Sequence, residues 1–270
     1  MNDITRQFHQ KVYELNSSRP QRQRNSWCAD SLFAFLRKEF EKVPDSRIQP
    51  ITSLADALMS GFALFSLKDP SLLAFEKRGS DETIKNIYHI EKIPSDTNMR
   101  TILDEVDLEE IMPVFKKTLA LLQRGKGLED MVFYDGHYLI SNDGTGYFSS
   151  ESIRCEECLV KNHSNGDTEY HHGFLGSAIV HPDKKIVIPL RPEPIKNADG
   201  KEKNDCERNA SKRWIASFRR EHPHMKAIVV EDALASNAPH LKDIQNADLR
   251  YIIPSLINPF HLPPYPIIPE

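Results

Sequence analysis

The sequence lacks the features that would assign it to a membrane, secreted or disulfide-bonded class. No apolar run approaches the roughly 20 residues that a helix needs to cross a bilayer, so no membrane partner is expected. The first ten residues are polar, unlike a secretory leader. Four cysteines in 270 residues are too few to indicate a disulfide framework. These absences predict a cytoplasmic protein in a reducing compartment.

A strong charge of either sign is also missing. The formal net charge of -4 argues neither for nor against nucleic acid as a partner, because a local basic face is enough for binding. Hydrophobic residues make up 39% of the chain and charged residues 27%, which is typical of a protein that buries a core. The length allows one large domain or two modest ones.

Residues 1–26 are polar and carry Arg19, Arg22 and Arg24 around Pro20. We interpret this segment as a basic arm with two open roles. It is either a solvated terminus, which we favour, or an arm that touches phosphates.

Residues 27–126 follow a helical pattern of apolar residues, with helices predicted at 27–42, 54–67, 71–77, 98–103 and 108–123. Ser26 and Ser53 are predicted N-caps, and Ser95 is a further candidate. The predicted apolar stripe of the helix at 54–67 consists of Leu54, Leu58, Phe62 and Phe65. Short helices of this kind form either a plain bundle, which is commoner, or a helix-turn-helix DNA reader. We therefore treat residues 27–126 as a candidate DNA-binding region.

Residues 127–253 change to a strand pattern. Strands are predicted at 131–134, 138–140, 153–161, 172–181 and 186–190, followed by a helix at 205–221, a strand at 227–230, a helix at 237–244 and a strand at 250–253. Antiparallel strands followed by helix, strand, helix and strand is the order of an RNase H-like core. The predicted fold class is thus α+β, an amino-terminal helical region followed by an incomplete RNase H-like mixed α/β core.

Two aspartates follow predicted strands of this core. Asp143 comes after 138–140 and is followed by Gly144 and Gly146, a pattern that also fits a plain β-turn. Asp232 comes after 227–230, where an exposed strand-end acid is the simpler interpretation. Parallel neighbouring strands would bring the two carboxylates together, and they would repel unless a cation lay between them. A pair of Mg²⁺ or Mn²⁺ ions roughly 3.5–4 Å apart would suit phosphodiester cleavage.

These motifs resemble those of DDE transposases of the IS4-like superfamily. Residues 143–150 resemble the first-acid motif and residues 229–235 the second, with Ala233 where glycine is more usual. Residues 93–97, 181–183 and 204–210 also resemble that family. The resemblance implies a DNA transposase in which Asp143 and Asp232 bind two Mg²⁺, cleave the transposon end and join it to target DNA. It implies DNA partners, namely terminal inverted repeats and target DNA, and it leaves a homo-oligomer open.

The family's third acid, a glutamate on a downstream helix, has no counterpart here. The chain continues only from 233 to 270, and residues 254–270 contain six prolines, which excludes a helix and predicts an irregular tail. We therefore expect a carboxy-terminally truncated transposase that is inactive alone. The alternatives are a non-catalytic DNA-binding remnant that regulates transposition and an RNase H-like metal-dependent nuclease unrelated to transposition.

Two further patterns stay open. Cys155 and Cys158 form a C-x-x-C pair, with His163, His171, His172 and Cys206 nearby in sequence. The spacing to His163 matches no zinc finger well, so no metal is assigned. The predicted helix at 205–221 is basic, and its charges are either a solvated face or contacts to the DNA backbone. Its predicted buried side consists of Ala210, Trp214, Ile215 and Phe218.

Overall fold

The computed structural model describes residues 28–196 and 203–254, the first four of the second range by their backbone alone. These residues form two compact units that divide between Gly125 and Lys126. The predicted basic arm at 1–26 and the tail beyond Pro254 lie outside the described residues. In the described part of the chain no helix is both long enough and apolar enough to cross a membrane.

The described part of the first unit is helical. Its α-helices are α1 (Ala29–Phe40), α2 (Leu54–Leu67), α3 (Leu72–Glu76), α4 (Glu82–Tyr88), α5 (Asp96–Asp104), α6 (Leu108–Ile111) and α7 (Pro113–Arg124).

Local side-chain chemistry sets where several of these helices begin. The Ser53 side chain accepts a hydrogen bond from the Asp56 amide at 3.0 Å, which confirms the predicted cap of α2. Ser95 caps α5 in the same way, by accepting from the Asn98 amide. The cap of α1 is Cys28, while the predicted cap Ser26 lies outside the described residues.

Two helical predictions are wrong in detail. The helix predicted at 108–123 is divided, because Pro113 lacks an amide donor and opens the new helix α7. Phe65 was predicted on the apolar stripe of α2, yet 81% of it is exposed. Most of the first ten residues of α2 are buried instead, whichever side of the helix they are on. They include the small residues Ala57 and Ala63.

The second unit is built on one sheet. After a 3₁₀ turn (Glu129–Met131), its elements are β1 (Val132–Tyr134), β2 (His137–Ser150), β3 (Leu159–Asn162), β4 (Thr168–Val180), β5 (Ile188–Pro189), β6 (Glu193–Ile195), α8 (Lys203–Glu221), β7 (Ala227–Val230), a second 3₁₀ turn (Ala233–Ala235), α9 (Ala238–Asn246) and β8 (Arg250–Ile252).

The main strand order is β3-β4-β2-β7-β8, with β2 at the centre. β4 runs antiparallel to β2, whereas β7 and then β8 run parallel to it. The edge of β4 away from β2 is paired in turn by β3, β6 and β5. A long antiparallel hairpin followed by helix, parallel strand, helix and parallel strand is the topology of an RNase H-like fold, and it confirms the predicted α+β class.

The path of the central strand differs from the prediction. β2 continues through Gly144 and Gly146 to Ser150, so the β-turn interpretation is wrong. Neither glycine has a positive φ, and both pair across to β4 as extended backbone. The strand predicted at 153–161 is also wrong in its first half, because pairing begins only at Leu159.

The carboxy-terminal elements of the unit match the sequence more closely. β7 occupies residues 227–230 as predicted, because four apolar residues there are bounded by polar ones. The predicted inner face of α8 is buried, and its members are Ala210, Trp214, Ile215 and Phe218. The Trp214 indole donates to the Arg191 carbonyl at 3.2 Å, which confirms its place in the core.

Candidate functional site

The register between the parallel strands β2 and β7 sets the positions of the two predicted acids. Along β2 and β7, Tyr138 is paired with Ala227 and Ser141 with Val230. One residue further on, the Asn142 side-chain amide donates to Oε1 of Glu231 at 3.2 Å, and these residues are 89 apart in sequence. Asp143 of β2 and Asp232, which follows β7, come next along the chain with the same offset. The structure therefore brings them to neighbouring positions at one end of the β2–β7 ladder.

Both aspartates line one small cavity of about 50 Å³. That space is sufficient for a few water molecules. The remaining lining comes from β2, β4, α8 and the segment that follows β7: Asn142, Gly144, Leu175, Glu207, Arg208, Ser211, Glu231, Leu234, Ala235 and His240.

Asp143 and Asp232 have different local settings. Asp143 is exposed and lies within β2, where it pairs with Gly176 of β4. The prediction that Asp143 follows the end of its strand is therefore wrong, because β2 continues beyond it along β4. Asp232 is exposed and follows the last residues of β7, as predicted. Its Oδ1 accepts from the Leu234 amide at 3.0 Å and caps the 3₁₀ turn.

Glu207 is a third carboxylate at the cavity. It lies in the first turns of α8, and its side chain covers the backbone at Gly144. A Cβ at position 144 would lie only 2.7 Å from Glu207 Oε1, so the absence of a side chain there makes room for this carboxylate. Glu207 lies in the segment 204–210 that resembles the transposase family, but the sequence predicted no role for it. The packing of a helix against a strand cannot be predicted from one sequence.

A buried polar network lies behind the exposed acids. Glu231 is 8% exposed, and its Oε1 accepts from Asn142 and from the Ser211 hydroxyl at 3.0 Å. Its Oε2 lies 2.5 Å from Nε2 of His240, a residue that is 1% exposed. Donors on β2, α8 and α9 thus surround one buried carboxylate that directly follows β7, which is the condition for tolerating a buried charge.

This network leaves two buried acceptor or donor atoms without a hydrogen-bond partner among the described residues, Asn142 Oδ1 and His240 Nδ1. Both residues line the cavity. An unpartnered buried amide oxygen is unfavourable unless water or a ligand satisfies it. Neither atom is open to solvent, so these two atoms do not show what the cavity holds.

The donor set at the cavity fits a hard divalent cation, because Asp143, Asp232 and Glu207 offer carboxylate oxygens. The three are not gathered around one point. Within the described residues, the one group of three potential ligands with all its ligand atoms within 4.8 Å is Cys155, Cys158 and His172. A cation at the cavity would have to draw the carboxylates together.

Two of the basic side chains of α8 form hydrogen bonds within the fold. The Arg213 guanidinium donates to Glu193 Oε1 at 2.7 Å and to the Pro194 carbonyl at 2.7 Å. The Arg219 guanidinium donates to backbone carbonyls of the loop before β7 and of the end of α9. These two arginines therefore favour neither of the predicted roles, a solvated face or contacts to DNA.

No model of a known protein family matches this sequence, and no curated protein matches it. A comparison of folds finds a cryo-EM structure of the piggyBac transposase synaptic complex with hairpin DNA. It has a TM-score of 0.37 and 11% sequence identity, and the match covers 87% of this chain and 48% of that chain. This chain thus spans about half the length of that one. A likeness at this level assigns no function, and membership of the IS4-like superfamily stays a prediction.

Proposed function

We propose that this chain is a nucleic-acid enzyme, or a derivative of one, in which Asp143 and Asp232 bind Mg²⁺ or Mn²⁺ at the cavity beside β2 and β7. One observation supports the proposal above the others. Two acids that are remote in sequence follow the same 89-residue register and line the same cavity of an RNase H-like sheet.

The electrostatics of the cavity favour a cation. Asp143, Asp232 and Glu207 bring three carboxylates to one small space whose lining includes a single arginine, Arg208, so the acids outnumber it. Like charges in excess repel unless a further positive charge lies between them. Beneath them, Glu231 holds Asn142, Ser211 and His240 in place by hydrogen bonds. This fixed layer would orient the strand ends that carry the aspartates. A bound divalent pair would supply an activated water and stabilise the leaving oxygen of a phosphodiester.

The finer proposal is a DDE-type DNA transposase that acts on transposon ends and target DNA. It is supported by the sequence motifs around Asp143 and Asp232. Glu207 offers a third carboxylate, although it precedes Asp232, whereas the third acid of the resembling family follows the second. DNA would be held by basic groups, because contacts to phosphates position a protein without reading sequence.

A second candidate is a DNA-binding protein without catalytic activity. The observation that favours it is the separation of the carboxylates, since the described acids at the cavity do not form a compact group of three ligands. The two candidates differ in a direct way. The enzyme binds Mn²⁺ at the cavity and nicks DNA, and the second candidate binds DNA alone.

The test is calorimetric titration of Mn²⁺ and Mg²⁺ into the full chain and into Asp143→Asn and Asp232→Asn. We expect each substitution to lower the affinity by about tenfold or more, because a ligand is lost. Asp183→Asn is the matched control, since Asp183 is exposed and does not line the cavity. Unchanged affinity in both cavity variants would overturn the proposed site.

Two further measurements separate the candidates. Nicking of supercoiled plasmid with Mn²⁺, lost in Asp143→Asn, supports the enzyme. Gel-shift binding of DNA should survive Asp232→Asn, since positioning comes from basic groups. Loss of DNA binding in that variant would contradict the assigned division between catalysis and positioning.

A further inference from the structure

A second group of metal-binding side chains lies on the β2–β4 hairpin, away from the cavity. The thiols of Cys155 and Cys158 lie 3.7 Å apart, sulfur to sulfur. Nε2 of His172 lies 3.2 Å from the Cys155 sulfur and 3.3 Å from the Cys158 sulfur. Both cysteines are free. Three donors from a loop and from β4 thus converge on one point.

We propose that Cys155, Cys158 and His172 bind one Zn²⁺ that staples the loop after β2 to strand β4. Water completes the coordination on the exposed side of Cys155. The site is independent of the proposed carboxylate site, since none of its three ligands lines that cavity.

The distances agree with a tetrahedral zinc centre. Zn–S bonds near 2.3 Å and Zn–N bonds near 2.0–2.1 Å at tetrahedral angles place two sulfurs about 3.8 Å apart and a sulfur and a nitrogen about 3.6 Å apart. The observed sulfur–sulfur separation matches the first value, and the sulfur–nitrogen separations are a few tenths of an ångström shorter. Two thiolates and an imidazole are also the ligand types that zinc prefers.

The backbone and the neighbouring rings prepare these ligands. The Cys155 amide donates to the Cys158 sulfur at 3.2 Å, a hydrogen bond that stabilises a metal-bound thiolate. The His172 ring stacks on Tyr147 with centroids 6.0 Å apart and an interplanar angle of 18°. It also contacts Phe148, which is its partner in the β2–β4 register. The ring nitrogen is therefore directed at the sulfurs by contacts that do not involve the metal.

The loop needs such a link because it has almost no core. Within residues 151–167, only Cys158 and Leu159 are buried, while Ile153 and Val160 are 67% and 49% exposed. Segments that cannot bury enough apolar surface are commonly held by metals or disulfides. The zinc thus supplies the ordering that packing does not.

The test is the metal content of the full chain, purified with zinc and a reducing agent and then freed of unbound metal. We expect about one zinc per chain, and loss of that zinc in Cys158→Ser and His172→Ala. Substitution of Co²⁺ should give thiolate-to-cobalt charge-transfer absorption. Chelation should increase the number of reactive thiols by the two that held the metal. The cobalt spectrum needs no variant, so it remains informative if a variant fails to fold.

Cys28→Ser and His163→Ala are the matched controls, and both should retain the zinc. Cys28 lies in the first unit, and His163 directly follows β3, where its Nε2 lies 2.9 Å from Oε2 of Glu169. Unchanged zinc content in the double variant Cys155→Ser/Cys158→Ser would overturn the proposal. So would a cobalt spectrum without thiolate absorption, or a Cys155–Cys158 disulfide in protein purified with the reducing agent.

Discussion

The Glu231 carboxylate and the His240 imidazole form a buried pair, with Oε2 and Nε2 2.5 Å apart, directly behind the aspartates of the cavity. The pair links the end of β7 to α9. It connects the stability of the fold to the position of Asp232, the next residue along the chain. Substitutions at this pair therefore test whether the buried layer supports the site.

We expect His240→Ala to lower the free energy of unfolding by about 3 kcal/mol or more, because it removes a donor from a buried charge. Chemical denaturation measures the change. In a Glu231→Gln background the same substitution should cost less, since the charge is already gone. The exposed His224→Ala is the control and should stay within about 0.5 kcal/mol of the unaltered chain. Equal losses in both backgrounds would contradict a charge-based role.

Gly144→Ala should lower the affinity for Mn²⁺ by about tenfold, because the new Cβ displaces the Glu207 carboxylate from the cavity. The loss of stability should be small, since the atoms that must move belong to a flexible side chain. Gly146→Ala is the matched control on the same strand, where a Cβ would meet nothing closer than the His172 carbonyl at 3.8 Å. Titration calorimetry of both variants checks the prediction, and equal affinities would exclude Glu207 as a ligand.

The contribution of Glu39 to the stability of the helical unit should depend on pH in the acid range. Burial raises the pKa of this carboxyl, but hydrogen bonds from Lys117 and Lys42 outweigh it, and the net pKa lies below its ordinary value of 4.5. Because the pKa of Glu39 is lower in the folded state, its ionised carboxylate stabilises the fold at pH values above the ordinary pKa. This stabilisation is lost as the pH falls through the folded-state pKa.

Lys117→Met should therefore lower stability at pH 7 by roughly 0.5–1 kcal/mol, a modest figure because the lysine is partly exposed. The difference from the unaltered chain should close in acid, where Glu39 is protonated in both proteins. Calorimetric unfolding at neutral and acidic pH measures this, with the neighbouring exposed Lys116→Met as control. A difference that is independent of pH would point to packing instead.

Arg219→Lys should destabilise the second unit by about 2 kcal/mol, because an ammonium cannot replace the planar fork of donors. The guanidinium binds the carbonyls of Ala247 at 2.8 Å, Pro223 at 3.0 Å and Asp248 at 3.0 Å, among others. Arg220→Lys is the control, since among the described residues its guanidinium donates a hydrogen bond to the Ser217 hydroxyl alone. Thermal unfolding compares them. Weaker DNA binding by Arg219→Lys at unchanged stability would instead assign Arg219 to phosphate contact.

Sequence patterns predicted the parts of the fold that depend on local chemistry. The bounds of β7 follow from four apolar residues between polar ones, and the inner face of α8 follows from helical spacing. The order of elements was then enough to predict parallel pairing and so the placement of Asp143 and Asp232 at one cavity. Their roles as catalytic or metal-binding residues stay predictions.

Long-range packing could not be predicted in the same way. Gly144 and Gly146 favour a turn by themselves, but pairing with β4 holds them extended. Glu207 reaches the cavity only through the packing of α8 on the sheet. The selection of His172 rather than His163 beside the two cysteines depends on the register and bulge between β2 and β4, which spacing in one sequence does not encode.

Three short strands pair with the outer edge of β4, and this pairing also affects self-association. The 13 residues of β4 would otherwise present a long row of unpaired amides and carbonyls, the surface on which a strand from another molecule adds most readily. Instead β3, β6 and β5 occupy that row in short segments. At the opposite side of the sheet, β8 has only three residues. The described sheet thus offers few unpaired strand positions on which a strand from another molecule could add.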